Sequence, residues 1–236
     1  MKKIVLLIAL ISLSYFSFAQ TKKLKEGVAE FNITYPSLTP EMKQMEGVLP
    51  KDMTIQFKND QSRVEMSTPM GTTVVIGNNI KKDVTVLMDL MGQKIAFNQS
   101  QEELSKKEAE LKKGGKIPEY TVIDSKETKV IAGYKCKKSV VQYTNDGKKE
   151  EMVCYYTEDL PKISSGTDNL ALNEIKGFLM EYNISQNGIQ MRVVAKSIKS
   201  KKVEDSVFLI PNDYKVMTQE EISDIMNGVG KNNNGK

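Results

Sequence analysis

Apolar and polar residues alternate strictly along several segments, and this two-residue period constrains the fold of the chain more than any other feature. Successive side chains of a β-strand point to opposite faces of its sheet, so an alternating segment buries one face and exposes the other. Antiparallel sheets produce this pattern, whereas parallel sheets covered on both sides give continuous apolar runs. The clearest alternating segments are 27–35, 52–58, 63–66, 80–90 and 178–184.

Short turn signals separate these segments, as expected for strands linked in hairpins. The pattern predicts roughly ten to twelve strands that are mostly connected as meanders. The predicted fold class is therefore mainly β: a strongly curved antiparallel sheet or incomplete β-barrel with a few short helices packed on it. The turn signals are Asn59-Asp60, Gly77-Asn78-Asn79, Met91-Gly92, Asn145-Asp146-Gly147 and Asn187-Gly188.

Helical signals are few and short. Thr39 followed by Pro40 is typical of a helix start, and Ser100–Lys113 carries Glu and Lys residues at i,i+4 spacing. A further short helix is predicted within Gly166–Lys176, with Leu172 and Ile175 facing inward. Thr218 and Glu221 form a capping box that predicts a last helix.

The amino terminus has the features of a secretory signal peptide. Lys2 and Lys3 precede an apolar stretch from Ile4 to Leu13, and small residues stand at the positions that signal peptidase requires. We predict cleavage between Ala19 and Gln20. The predicted organisation is a signal peptide at 1–19, one β-rich domain at 20–227 and a flexible tail at 228–236. The mature protein is expected to be periplasmic or extracellular and not membrane-spanning.

Charge and composition exclude several classes of function. Without Lys2 and Lys3, 32 basic residues face 30 acidic ones, which leaves no strong field to attract nucleic acid. The chain has no histidine, which removes Ser–His and Cys–His nucleophile pairs and the usual zinc sites. We expect a protein that is not an enzyme and has no metal or cofactor. A hydrolase that uses two carboxylates stays open, because such a pair need not be close in sequence.

The two cysteines, Cys136 and Cys154, lie in neighbouring predicted strands. A three-residue loop at 144–146 would place them directly opposite each other, whereas a two-residue turn at Asp146-Gly147 would separate them. In an oxidising compartment a cysteine pair is more often bridged than free. We predict a structural disulfide between Cys136 and Cys154, with two free buried thiols as the alternative.

Methionine is frequent, and several methionines share apolar strand faces with valine and phenylalanine. The side chain is flexible and polarizable, and adaptable apolar binding surfaces use it heavily. One hypothesis is a deformable cavity for a lipid or another apolar ligand, and the alternative is ordinary core packing. The methionines of the predicted mature chain are Met42, Met45, Met53, Met66, Met70, Met88, Met91, Met152, Met180, Met191, Met217 and Met226.

Three segments resemble an uncharacterised exported bacterial family catalogued as domain of unknown function 4412. They are Ile131-Ala132-Gly133-Tyr134-Lys135-Cys136-Lys137-Lys138, Val153-Cys154-Tyr155-Tyr156-Thr157-Glu158-Asp159-Leu160-Pro161 and Pro211-Asn212-Asp213-Tyr214-Lys215-Val216-Met217-Thr218. The chain has Cys154 where this family has a tryptophan, which leaves the role of Cys136 open. The family implies no activity. Its strand-rich layout is similar to the periplasmic lipoprotein-carrier (Lol-type) architecture, an incomplete barrel with helices over an apolar cavity.

Two main hypotheses for function follow. The first is an exported, non-enzymatic protein that binds or carries an apolar, lipid-like ligand on the concave side of its sheet. The second is a structural or protein-interaction module of the cell envelope whose interior is filled by side chains. The sequence does not identify individual ligand-binding residues or a protein partner.

Overall fold

The computed structural model describes residues 23–114, 119–145, 148–163, 170–186, 189–218 and 221–222. The predicted signal peptide, the cleavage site at Ala19 and Gln20, and the tail at 228–236 lie outside these residues. Twelve strands form one sheet. They are β1 (Glu26–Ser37), β2 (Asp52–Lys58), β3 (Gln61–Thr68), β4 (Gly71–Asn78), β5 (Asp83–Leu90), β6 (Gln93–Gln99), β7 (Tyr120–Ile131), β8 (Tyr134–Asn145), β9 (Lys148–Thr157), β10 (Phe178–Gln186), β11 (Ile189–Ser200) and β12 (Lys215–Val216).

The sheet consists of two antiparallel meanders that meet at β1. Strands β1 to β6 pair in sequence order on one side, and β7 to β11 pair in sequence order on the other, with β11 returning to pair with β1. The short β12 pairs in parallel with β6. The predicted fold class is confirmed, since the structure is mainly β with a sheet whose two edges do not join.

Contacts on one face between side chains three strands apart show that the sheet curves strongly. Three strand spacings correspond to about 14 Å in a flat sheet. The ring of Phe178 on β10 nevertheless lies 5.5 Å from the ring of Phe57 on β2, in an edge-on contact, and 6.3 Å from the ring of Phe31 on β1. We call this side the concave face and the other side the outer face.

The main hydrophobic core lies on the concave face at the centre of the sheet. Phe31, Phe57, Phe178 and Met180 are at most 1% exposed, and they alternate along their strands as the sequence predicts. Leu172 and Ile175 close this core from the loop before β10, each 2% exposed, which confirms their predicted inward position. The centre of the concave face is therefore filled by side chains.

Three α-helices are described: α1 (Pro40–Lys43), α2 (Gln101–Lys113) and α3 (Leu170–Asn173). A capping box begins α2, since the Ser100 backbone N–H donates to the Glu103 carboxylate at 2.7 Å and the Glu103 backbone N–H donates to the Ser100 hydroxyl at 3.3 Å. Helix α2 and the residues after it join β6 to β7, which lie near opposite edges of the sheet. The capping box at Thr218 and Glu221 is also present, with described residues ending at Ile222.

A segment after β11, residues 201–217, crosses the outer face of β2 to β6, and we call it the strap. It begins over β2, where Lys58 donates to the Val203 carbonyl at 3.2 Å and pairs with Asp205 at 2.6 Å. It ends beside β6, where Lys94 pairs with Asp213 at 2.6 Å. The strap includes a short 3₁₀ helix, Asp205–Phe208, and strand β12.

The strap produces a second core on the outer face, which the sequence analysis missed. Val203 and Phe208 cover a group of strand residues that includes Leu87, which is 0% exposed. The alternation in 80–90 predicts one buried face containing Val84, Val86, Met88 and Leu90. That prediction is wrong for Leu90, which is 45% exposed. It is also incomplete, because β5 has a buried apolar residue on the opposite face, Leu87, which the prediction did not include.

Candidate ligand-binding face

The concave face continues beyond the filled core, and many of its side chains there are only half-buried. Direct cross-strand pairing aligns Val64, Val75, Val86 and Phe97 in one row across four strands. Val64 belongs to the core at 1% exposure, while the next three are partly exposed. The apolar surface thus runs without interruption from the packed centre toward the edge of the sheet.

We call the half-buried apolar residues of this face the concave lining. They come from both meanders and share partial exposure and a position on the concave side of their strands. The members are Tyr35, Met66, Val75, Val84, Val86, Met88, Ile95, Phe97, Tyr120, Val122, Tyr143, Ile184 and Met191. Valine, methionine and aromatic side chains in this arrangement offer contact area but few hydrogen-bonding groups, which suits an apolar ligand.

A polar cluster interrupts the lining at a β-bulge in β7. Asp124 accepts hydrogen bonds from the buried Ser139 hydroxyl at 2.6 Å and from the Lys176 ammonium at 2.7 Å. The hydrogen bond from Lys176, followed by that from Ser139, lowers the pKa of Asp124. An open cleft of about 430 Å³ lies beside this cluster, bordered by Tyr120 and Glu174 among others. The cluster holds α3 against β7 rather than presenting a free carboxylate.

The structure contains Cys136 and Cys154 as free, buried thiols, so the predicted disulfide is not formed in it. The reason is the register of β8 and β9: Asn145 pairs with Lys148, which places Cys154 opposite Ser139. This is the register of the two-residue turn, the alternative that separates the cysteines. Burial raises the pKa of Cys136 to about 11 and that of Cys154 to about 12, so neither thiol is a reactive thiolate at neutral pH.

A charged cluster on the outer face is structural. Glu181 is 8% exposed and accepts hydrogen bonds from Lys129 at 2.5 Å and from Arg192 at 2.6 Å. Burial acts to raise its pKa, but the two cationic hydrogen-bond donors outweigh burial, and the pKa is lowered. The cluster ties β7, β10 and β11 together behind the core.

The described carboxyl groups do not favour acid catalysis. Each one with a resolved shift, Asp124 and Glu181 among them, has a pKa below its ordinary value, because hydroxyl, ammonium, guanidinium or backbone N–H groups bond the ionised form. A general acid needs the opposite shift. Within the described ranges, no group of three or more Asp, Glu or Cys residues is arranged to hold a metal ion.

A second cleft of about 430 Å³ lies outside the lining, against β2 and β3. Its border includes Lys51, Asp52 and Glu65 together with Leu49 and Pro69, so its surface is mixed polar and apolar. The sequence analysis named no ligand-binding residues, although the methionine content and the alternating strands were signals for Met66 and Met88.

None of the helices in the described part of the chain is both long and apolar enough to span a membrane.

Comparison with known proteins shows the fold but no family. No family model matches the chain, and no curated protein matches it, so the resemblance to the family of domain of unknown function 4412 stays a prediction. The solved structure of PNGF-II is 16% identical with a TM-score of 0.50, over 85% of this chain and 32% of that one. The chain therefore spans about a third of the length of PNGF-II, and at this identity the likeness concerns the fold alone.

Two further solved structures are more distant. A beta-barrel-like protein of domain of unknown function 1849 from Brucella abortus is 8% identical, with a TM-score of 0.36 over 76% of this chain and 99% of that one. The lipoprotein LppX of Mycobacterium tuberculosis is 12% identical, with a TM-score of 0.31 over 78% of this chain and 91% of that one. The chain is thus similar in architecture to one part of PNGF-II, and its function has to be argued from its own residues.

Proposed function

We propose that this protein is an exported, non-enzymatic envelope protein that binds an apolar, lipid-like ligand on the concave lining. The observation that carries the proposal is the continuity of this apolar surface, from the buried Val64 to the half-exposed Val75, Val86 and Phe97. Export rests on the predicted signal peptide, and residues 20–227 are proposed to form one domain.

The chemistry of the lining favours an alkyl chain over a polar ligand. Each methylene group moved from water onto an apolar surface contributes about 0.8 kcal/mol, so a single long chain gives useful affinity without specific polar contacts. Met66, Met88 and Met191 lie among the half-buried residues, and their flexible side chains suit ligands of variable shape. The charged groups of the polar cluster are already paired with each other.

The proposal is tested with purified protein from envelope extracts. Native mass spectrometry is expected to show co-purifying lipid, and fatty acids or phospholipids are expected to displace a bound hydrophobic dye. A clean unliganded mass together with no displacement would contradict the proposal.

A matched pair of variants locates the binding site. Val86→Asp places a charge in the lining, and Asn98→Asp places the same charge on the exposed outer face of β6. The carboxylate introduced by Asn98→Asp keeps an oxygen that can accept the hydrogen bond from Thr85, which is 2.7 Å in the structure. We expect at least tenfold weaker dye binding for Val86→Asp and unchanged binding for Asn98→Asp, with both circular dichroism spectra unchanged. Equal losses in the two variants would argue against the lining as the site.

The second candidate function is a structural or protein-interaction module of the envelope. It is favoured by the packed centre of the concave face, where Phe31, Phe57 and Phe178 leave no room for a ligand. This function predicts that Val86→Asp abolishes capture of one specific envelope protein by cross-linking, while lipids never co-purify.

A further inference from the structure

Two hairpin turns at one end of the sheet present exposed apolar side chains next to each other. Met70 lies in the β3–β4 turn, and Leu90 and Met91 lie at the β5–β6 turn. The turns are adjacent, since Gly71 pairs with Leu90 and the Met91 backbone N–H donates to the Met70 carbonyl at 3.3 Å. Met70 is 54% exposed, Leu90 45% and Met91 90%. We call these three residues the apolar tips.

The backbone at Met91 is left-handed, as it is in the turn at Ala132-Gly133. Met91 has φ +54° and the following Gly92 has φ +85°, so both turn residues lie in the left-handed region. Asn or Gly is strongly preferred at such a position, because other side chains are strained there. The chain instead holds a large apolar side chain in a strained position and directs it into solvent.

The tips themselves are uncharged, and the charged residues near them are of both signs: Lys51, Asp52 and Glu65 border the cleft that Pro69 also borders. Residues 66–76, which include the whole β3–β4 turn, contain no charged residue. In the other turn Asp89 lies on the outer face of β5, 3.9 Å from Lys94. An apolar protrusion without a patch of one charge sign fits the net-neutral interfacial region of a zwitterionic bilayer better than an acidic or basic partner, whose recognition would need charges of opposite sign.

The tips are continuous with the concave lining. Met66 and Met88 stand a few residues from the turns on the same two hairpins, and Ile95 pairs with Met88 on β6. An alkyl chain that leaves a bilayer at the tips would thus stay on apolar surface as it enters the lining. Tyrosines of the lining, with an apolar ring and a polar hydroxyl, suit a position at a lipid–water boundary.

We propose that the apolar tips insert into the surface of a neutral phospholipid bilayer and dock this end of the sheet on the membrane. The proposal concerns docking and does not depend on ligand binding in the lining. Its partner is defined by chemistry, as zwitterionic lipid rather than anionic lipid or protein. Docking should therefore persist in 0.5 M salt, where the Debye length of about 4 Å screens most of the attraction between charged groups.

The test is flotation of the purified protein with phosphatidylcholine vesicles. The double variant Met70→Glu/Met91→Glu places charges at the tips. The single variants Met70→Glu and Met91→Glu are compared with the control Ile80→Glu, which places one charge at a residue 75% exposed in the β4–β5 turn, at the opposite end of the hairpins. We expect the unmodified protein to float, the tip variant to bind at least tenfold more weakly, and the control to bind normally.

Three outcomes would overturn the docking proposal: no flotation of the unmodified protein, equal loss in the tip and Ile80 variants, or binding only to anionic vesicles with loss in high salt. Hydrophobic-dye binding is measured on the same samples. If the tip variant keeps dye binding while losing flotation, docking and the ligand site are separate. If dye binding is absent throughout but flotation behaves as expected, the proposed function fails and the docking proposal stands.

Discussion

Replacing Phe178 with alanine is expected to lower the free energy of unfolding by about 3–5 kcal/mol, the range for a buried phenylalanine that leaves a cavity. The ring is 1% exposed and contacts Phe31 and Phe57 across the curve of the sheet, so neighbouring side chains cannot close the space without flattening the sheet. Phe97→Ala in the concave lining should cost only about 1.5–2 kcal/mol, because the partly exposed ring leaves no closed cavity and only the transfer of apolar area is lost.

The measurement is urea unfolding at 25 °C followed by far-ultraviolet circular dichroism. Phe178→Leu serves as the control that keeps most of the apolar volume, and it should cost about 1–1.5 kcal/mol. The comparison depends on equal m-values, since a changed m-value would mean a changed denatured or native state. Equal losses for the two alanine variants would refute the distinction between a filled centre and an open lining. A loss below about 1.5 kcal/mol for Phe178→Ala would refute the cavity argument.

Three further predictions concern other parts of the sheet. Met91→Asn should raise the free energy of unfolding by about 1 kcal/mol, because asparagine accepts the left-handed backbone, and thermal melting checks this. Without reductant, Cys136 and Cys154 should both react with a thiol reagent in urea and neither should react in the native protein; an absence of thiols in urea would show a disulfide. Glu181 has a lowered pKa, so its stabilisation is present above the unfolded value near 4.5 and is lost as pH falls through the folded value. The stability difference between the unmodified protein and Glu181→Gln should therefore be largest above about pH 5 and shrink in acid, and a constant difference would contradict this.

Local patterns predicted the strands well because burial on one face imposes a two-residue period. The segment 52–58 coincides with β2, and Phe178, Met180 and Tyr182 are buried as their alternation indicates. The curvature of the sheet was predicted only as a class of fold. The contact of Phe57 with Phe178 depends on how β1 joins the two meanders, which no local pattern reveals.

The features that sequence reasoning missed depend on distant contacts or on nearly equal alternatives. The β8–β9 hairpin had two possible turns at 144–147 whose registers differ by three residues, so that Cys154 lies opposite Ser139 instead of Cys136. The strap has no periodic pattern, because it packs by occasional residues such as Val203 and Phe208. For the candidate site, Met66 and Met88 were noticed as methionines, but their shared surface requires the register of three strands, β3 to β5.

The strap also orders the events of folding. The strap comes later in the sequence than every strand it crosses. The outer-face side chains of Val74, Ile76 and Leu87 therefore stay exposed to solvent until residues 203–208 have been synthesised and have docked on the sheet. In the proposed export, in which the chain crosses a membrane from its amino end, these hairpins would emerge before the strap that covers them. The outer core can therefore form only when nearly the whole polypeptide is present. Truncated chains that lack the strap would expose a hydrophobic patch that proteases and chaperones recognise.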